Sequence, residues 1–445
     1  MVIYMTRITT NMIISSNGET QSKKLNFSEM KKIMNHLNDE TMEILNVIQT
    51  HSPQTLKELA KLTGRKASNL SRTLKILTEH QLIKISEQSY EVGFQQLDLQ
   101  FDIETDSKPR VVSLFSGCGG LDLGFQRAGY EIVFANDIEN SVKQTYETNL
   151  KHKILIQDIR TVNKETDIPE HIDIVLAGIP CQPFSTSGNR GAMNDDRGRL
   201  FQEVMEVVDV KKPKIVLFEN VRGFLSAKDD SGKPMPERIR SELAEHGYTL
   251  TYRLVNSADY GVPQNRYRVL LVGVRNDLVE TKGKFCFPDP VERKKSQTVG
   301  AVIKDSHVDG EEFEVWPLSP QAIALCEHIP AGGSWKSVPI EYLPERLKKI
   351  RANMSKYHSP NFYRRFNLDE IMGTVTAAAT PENSGILHPL ENRRYSVREI
   401  ARFQSFPDDF KFIGCPVSKK YKMIGNAVPP TLAFHIARAL KTQFF

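Results

Sequence analysis

The stretch "RVVSLFSGCGGLDLGF", Arg110 to Phe125, runs from a β-branched apolar segment through a glycine-rich turn into a helical pattern. Gly117, Gly119 and Gly120 allow the backbone to turn tightly and approach a ligand beside the positive end of a helix. The dinucleotide pattern G-x-G-x-x-G is incomplete, because Asp122 stands where the third glycine would be. Further β-branched runs follow: "EIVFAND", "HKILIQD", "IDIVLAG", "PKIVLFEN" and "YRVLLVGV", most of them separated by helical patterns. This alternation predicts an α/β fold with a doubly wound, mostly parallel sheet over residues 110–275.

In such sheets ligands bind at the carboxyl ends of the strands. The second and third runs end in acids, Asp137 and Asp158. An acid at the first position can hold a ribose, and one at the second suits the amino group of an adenine. The glycine turn and these acids point to an adenine nucleoside rather than a polyphosphate. The fourth run leads to Cys181, fixed between Pro180 and Pro183, and the fifth ends at Glu219. A thiolate and a carboxyl group can thus face one pocket from adjacent strands. Taken alone, Cys181 reads equally as a buried thiol and Glu219 as a helix cap.

Composition narrows the class. The 445 residues are 40% hydrophobic and 25% charged, as expected for a soluble globular protein. No apolar stretch approaches the roughly 18 residues needed to span a bilayer. The N-terminal residues lack a secretion signal, so a cytoplasmic location is expected. Five cysteines at 118, 181, 286, 326 and 415 include no C-x-x-C pair, which argues against disulfides and against a zinc or other metal site.

Residues 1–25 read as a flexible tail and 26–100 as a helix-turn-helix or winged-helix-like domain. Met42, Leu45 and Ile48 share a helical face, Ser52 and Pro53 look like a helix start, and Gly64 looks like its end. Leu70, Leu74 and Leu77 follow at helical spacing, and "LIKISEQSYEVGF" fits a two-stranded wing. From Thr55 to Lys84 there are seven Lys or Arg against two Glu, a surplus equal to the +5 of the whole chain. Basic residues on one helix, Arg72 among them, suit phosphate neutralisation, although a solvated basic face gives the same pattern. Residues 101–109 read as a linker. Residues 276–390 show no clear period, and helical patterns return over 391–445.

The glycine turn, the two acids, "PCQPFS", "GRLFQEV", "FENV", "PQNRYRVLLVG", "SVREIARFQSFP" and "YKMIGNAVPP" occur in the order that marks the DNA (cytosine-5) methyltransferase family. The chain resembles that family, in its prokaryotic restriction-modification form, over residues 110–445 outside the irregular segment. Ser113 departs from the Asp that the family often carries there. The resemblance implies S-adenosylmethionine as methyl donor, lined by Phe115, Gly117, Gly119, Gly120, Ile138, Ile159 and Asn426, with Asp137 on the ribose and Asp158 on the adenine. It implies that Cys181 attacks C6 of a flipped-out cytosine and that Glu219 serves N3, with one or both of Arg266 and Arg268 turned towards the base and its phosphate.

The loop "STSGNRGAMNDDRG" is then expected to close over the base, with Gln182, Ser185, Arg190 and Arg197 meeting DNA. Residues 276–390 take the place of the target-recognition region, where Arg364 and Thr374 are candidate base readers. The implied partners are double-stranded DNA, on which the protein is expected to act as a monomer, and a cognate restriction endonuclease. An RNA cytosine-5 methyltransferase and a DNA-binding transcriptional regulator are the alternative readings. A regulator is expected to lose Cys181 or Glu219, and both are present.

Overall fold

The computed structural model describes residues 9–16, 19–25, 44, 47–48, 55–79, 83–85, 90–92, 96–102, 108–179, 198–229, 231–304, 313–353, 362–381 and 384–445. The chain divides into two compact units, Met1–Ser107 and Lys108–Phe445.

In the first unit, strands β1 (Thr9–Ser16) and β2 (Glu19–Leu25) pair antiparallel. Residues 1–25 are therefore not a plain tail. Asn17-Gly18 between the strands is the strongest short hairpin signal a sequence carries. Helix α1 (Leu56–Thr63) begins after Thr55, not Ser52. The Thr55 hydroxyl accepts from the Glu58 amide at 3.1 Å, and Thr55-x-x-Glu58 is the pairing favoured at a helix start. Gly64 closes the helix in the left-handed region as expected. Helix α2 (Ala67–Glu79) buries Leu70, Leu74 and Leu77 and exposes Arg72 and Lys75, with Lys66 exposed just before it. Ile44 and Ile48, one turn apart, are buried, while Met42 and Leu45 lie outside the described residues. Strands β3 (Ile83–Ile85) and β4 (Tyr90–Val92) form the two-stranded ribbon. Strand β5 (Gln96–Asp102) pairs with β1, opposing Leu97 to Ile14 and Leu99 to Met12, so the expected linker starts no earlier than residue 103. The alternating "QLDLQFD" is a strand signal that the polar residues around it hide.

The second unit is built on seven strands in the order β11-β12-β10-β9-β6-β7-β8. Strand β6 (Arg110–Leu114) leads to helix α3 (Gly120–Arg127), and β7 (Glu131–Asp137) to α4 (Lys143–Leu150). Next come β8 (Leu155–Ile156), β9 (Ile174–Ala177), α5 (Gly198–Lys211), β10 (Ile215–Val221), α6 (Met235–Glu245), β11 (Tyr248–Asn256) and β12 (Tyr267–Arg275). The pairs from β10 to β8 are parallel, whereas β12 joins β10 and β11 antiparallel. Consecutive strand residues face opposite ways. Ile174, Leu176, Leu217 and Leu270 therefore pack with Phe125 and Leu432 on one side, while Val175, Ala177, Phe218 and Leu271 pack with Val204 and Leu243 on the other. This confirms a doubly wound sheet. Strand β11 was not among the predicted runs, because "YTLTYRLVN" is interrupted by polar residues and only half-buried.

Beyond β12 lie α7 (Asn276–Lys282), α8 (Val299–Ile303), α9 (Pro320–Cys326) and α10 (Glu345–Ala352), all short. They are followed by α11 (Val397–Phe403), α12 (Val417–Asn426) and α13 (Pro430–Phe444). Residues 276–390 are not one separate body. Trp335, Leu325, Leu347 and Phe362 form a small core of their own, but Phe285, Val299, Met372 and Val375 belong to the core of the sheet. No described helix is long and apolar enough to cross a membrane.

Asp122, on α3, joins three elements. Its carboxylate accepts from the Ser113 hydroxyl of β6 and the Tyr146 hydroxyl of α4, each at 2.6 Å. Complete burial raises its pKa from 3.8 to about 6, against the lowering effect of those bonds. A carboxyl raised on folding adds stability while protonated, below the unfolded value, and loses it as pH rises through the folded value. Asp122→Asn cannot ionise. The unfolding free energy of the wild type relative to this variant should therefore fall by about 2–3 kcal/mol between roughly pH 4 and pH 7. Denaturant titrations at both pH values test this, and a constant difference would contradict it.

Candidate active site

The glycine turn links β6 to α3 through a chain of left-handed residues: Phe115 at φ 57°, Gly117 at 56° and Gly119 at 85°. For Phe115 this conformation costs on the order of 1–3 kcal/mol. The turn is held by its neighbours. The Ser116 amide donates to the Asn136 carbonyl at 3.0 Å and the Gly117 amide to Asp137 Oδ2 at 2.8 Å. Gly124 lies against α13, where a Cβ would sit 2.3 Å from that of Ala433, and Gly120 lies against the chain just before that helix, where a Cβ would sit 2.3 Å from the Val428 carbonyl oxygen. Cys118, beside the turn, is buried, and burial pushes its thiol up to about 12, which leaves it inert.

The turn opens onto a cavity of about 430 Å³. Phe115, Gly117, Gly120, Asp137, Ile138, Glu219, Arg266, Arg268 and Asn426 all border it. Gly119 stands just behind as the N-cap of α3. Burial raises the Asp137 pKa, although the Glu139 and Gly117 amides both donate to its carboxylate. Ile138 is 66% exposed at the rim. Asp158 and Ile159 are not among the bordering residues. Asp158 caps the short turn Ile159–Thr161 and pairs with Arg160 at 2.5 Å, which holds its carboxyl below the usual range, while Ile159 is buried in the sheet's second core.

At the sheet edge Glu219 of β10 is 7% exposed and meets Arg268 of β12, Nε to Oε1 2.7 Å apart. The register makes them diagonal neighbours on one face, since Val221 opposes Arg268 and Glu219 opposes Leu270. Arg266 is 1% exposed, and its guanidinium donates to the carbonyls of Val375 and Gly425, each at 2.8 Å, so it braces the chain, and Arg268 is the arginine that meets Glu219. Strand β9 pairs parallel with β10, and Gly178 and Ile179 beyond its end border the cavity. The chain therefore leaves for Cys181 beside Glu219. Cys181, Gln182, Ser185, Arg190 and Arg197 lie outside the described residues.

Two expected base readers are engaged internally. Arg364 bonds the Gly332 carbonyl and Glu370, lies over the ring of Phe366, and so serves its own fold. The Thr374 hydroxyl donates to the Asn265 carbonyl at 2.8 Å. Both sit where the segment returns to the sheet, which explains their internal use. Arg72 is exposed on α2 in the first unit. Sequence reasoning missed Glu139, Lys419 and Lys422, which also border the cavity. Burial opposes the charged form of Glu139, but bonds from Ser141 and Lys419 outweigh it and hold the carboxyl below its usual value. The signal was present in "SKKYKMIGN": Lys419, Lys422 and Asn426 recur at helical spacing.

Comparison with known proteins agrees with this geometry. The family model described as C-5 cytosine-specific DNA methylase matches residues 109–442, and a second model, HVO_A0114, matches residues 36–95. The chain is 34% identical to the type II methyltransferase M.NgoFVII of Neisseria gonorrhoeae over 76% of its length and 88% of the relative's. It is 36% identical to M.FnuDI of Fusobacterium nucleatum, over 75% and 94%. The structure of the Entamoeba histolytica methyltransferase EhMeth shares the fold, with a TM-score of 0.53 at 16% identity, over 75% of this chain and 98% of that one. With the glycine turn, the Glu219–Arg268 pair and the returning α12 around one cavity, the chain belongs to the C-5 cytosine-specific DNA methylase family.

Proposed function

We propose that this methyltransferase acts on cytosine within a defined sequence of double-stranded DNA, as the modification half of a restriction-modification system, with S-adenosylmethionine as donor. One observation carries the reading: Glu219 and Arg268 pair at the wall of the cavity that the glycine turn opens onto, beside the strand that leads to Cys181. The residues fit the donor. A cavity of about 430 Å³ lies in the range of small-ligand sites. Asp137 stands at the end of the second strand where a ribose binds, Asn426 faces the turn, and Phe115, Gly117, Gly119 and Gly120 allow close approach. The donor supplies an electrophilic methyl group on a sulfonium.

The chain's residues do the rest. Cys181, as thiolate, adds to C6 of the flipped-out cytosine, and the electron pair displaced towards C5 makes that carbon nucleophilic. Arg268 holds one oxygen of Glu219, leaving the other to serve N3 and pass a proton there. C5 takes the methyl group, whose sulfonium sulfur leaves as a neutral thioether; C5 then loses its proton to a base, the electrons of that bond expel the Cys181 thiolate, and N3 returns its proton to Glu219. Asp158, now paired with Arg160, can turn to the adenine amino group by exchanging that exposed partner. Gln182, Ser185, Arg190 and Arg197 are assigned to the DNA strand around the extruded base.

In a tritiated-methyl assay Cys181→Ser should lose transfer while still binding DNA and donor. Glu219→Gln should slow transfer by roughly 100-fold, in line with general-acid contributions. Transfer at the wild-type rate by purified Cys181→Ser would refute the mechanism.

The exposed Arg72 and Lys75 on α2, opposite its buried leucines, with Lys66 exposed just before the helix, favour a separate DNA contact by the first unit, one that represses the protein's own promoter. Arg72→Ala should weaken protection of the upstream region in a footprint, with methylation unchanged. No protection at low salt by the wild type would leave α2 as a solvated face.

A further inference from the structure

Helix α12 presents Lys419, Lys422 and Asn426 at positions i, i+3 and i+7, so the three lie along one face, and all three border the cavity. Both lysines approach one carboxylate from its two sides. Lys419 Nζ is 3.3 Å from Glu139 Oε1, and Lys422 Nζ is 3.4 Å from Oε2. Charge-assisted bonds are typically about 2.7–2.9 Å, so these lysines are held loosely. The three side chains are 38–46% exposed, and water and salt weaken the pairing further.

The other cations bordering the cavity are differently placed. Arg266 is buried against two carbonyls and Arg268 is closed onto Glu219 at 2.7 Å. Only Lys419 and Lys422, among the described cations there, have a carboxylate partner loose enough for another to replace. They also sit within two turns of Asn426, which the family resemblance implies lies on the methionine side of the donor.

We infer that Lys422, with Lys419 beside it, is the subsite for the carboxylate of the donor's methionyl end. Glu139 occupies the lysines until that carboxylate arrives, and competes with it. The inference rests on the reading of this cavity as the donor site. It differs from a purely structural clasp between α12 and the turn after β7 in one respect that can be measured. A clasp stabilises the cavity for any ligand, whereas a subsite discriminates by the ligand's carboxylate.

The test is a calorimetric titration of the full chain with S-adenosylmethionine and with its decarboxylated analogue, which keeps the sulfonium and the amine. Lys422→Ala should weaken binding of S-adenosylmethionine by about 5- to 10-fold and leave the analogue unchanged, as for loss of one partly screened charged bond. Lys422→Arg should retain most of the preference. Glu139→Gln should increase the preference for the carboxylated ligand, because a competitor is removed. Equal weakening of both ligands by Lys422→Ala would overturn the subsite, as would a reduced preference in Glu139→Gln. If the wild type binds neither ligand, the reading of the cavity itself fails, and the subsite with it.

Discussion

The guanidinium of Arg266, buried at the start of β12, donates to the carbonyls of Val375 and Gly425, which lie 109 and 159 residues further along the chain. A cation taken out of water must be well bonded, and removing such a group strands its buried partners. Gln264, two residues earlier, extends the brace. Its amide donates to the Phe403 carbonyl and to Gln404, and its oxygen accepts from the Val375 amide. Gln404 in turn donates to the Ile424 carbonyl at 2.6 Å. These buried amide bonds return the C-terminal segment to the edge of the sheet. Gly425 permits the approach, since a Cβ there would lie 2.5 Å from the Thr376 carbonyl.

The active cavity follows from that closure. The sheet alone supplies the glycine turn, Asp137 and Glu219, which form one wall. The opposite wall is α12, with Lys419, Lys422 and Asn426, and it is in place because Arg266 holds the Gly425 carbonyl and Gln404 those of Ile424 and Ala427. Arg268, two residues beyond the brace, is left to orient Glu219. Two arginines two residues apart therefore divide the work. One fixes the architecture and the other meets the Glu219 carboxylate at the cavity wall.

Much of this was legible in the sequence. β-branched runs ending in Asp137 and Glu219, and glycines before a helix, report local geometry that few other folds require. The buried hydrophobic strands could be found because both faces are covered. Strand β11 was hidden because its outer position leaves alternate residues half-buried, and the N-terminal hairpin because polar residues surround it. The internal contacts of Arg266, Arg364 and Thr374 were hidden for a different reason. A polar side chain near a site can serve a ligand or a distant backbone carbonyl, and only the long-range contact decides. Asp122 and Lys422 were overlooked because their partners, Ser113, Tyr146 and Glu139, come from other elements.

The central claim is that this fold methylates C5 of cytosine in DNA at one sequence. Bisulfite sequencing of unmethylated DNA incubated with the purified protein and S-adenosylmethionine tests it most directly. The account predicts cytosines that resist conversion at a single recurring short sequence throughout the DNA. Complete conversion of every cytosine, with methyl groups appearing instead on RNA or on no nucleic acid, would contradict it.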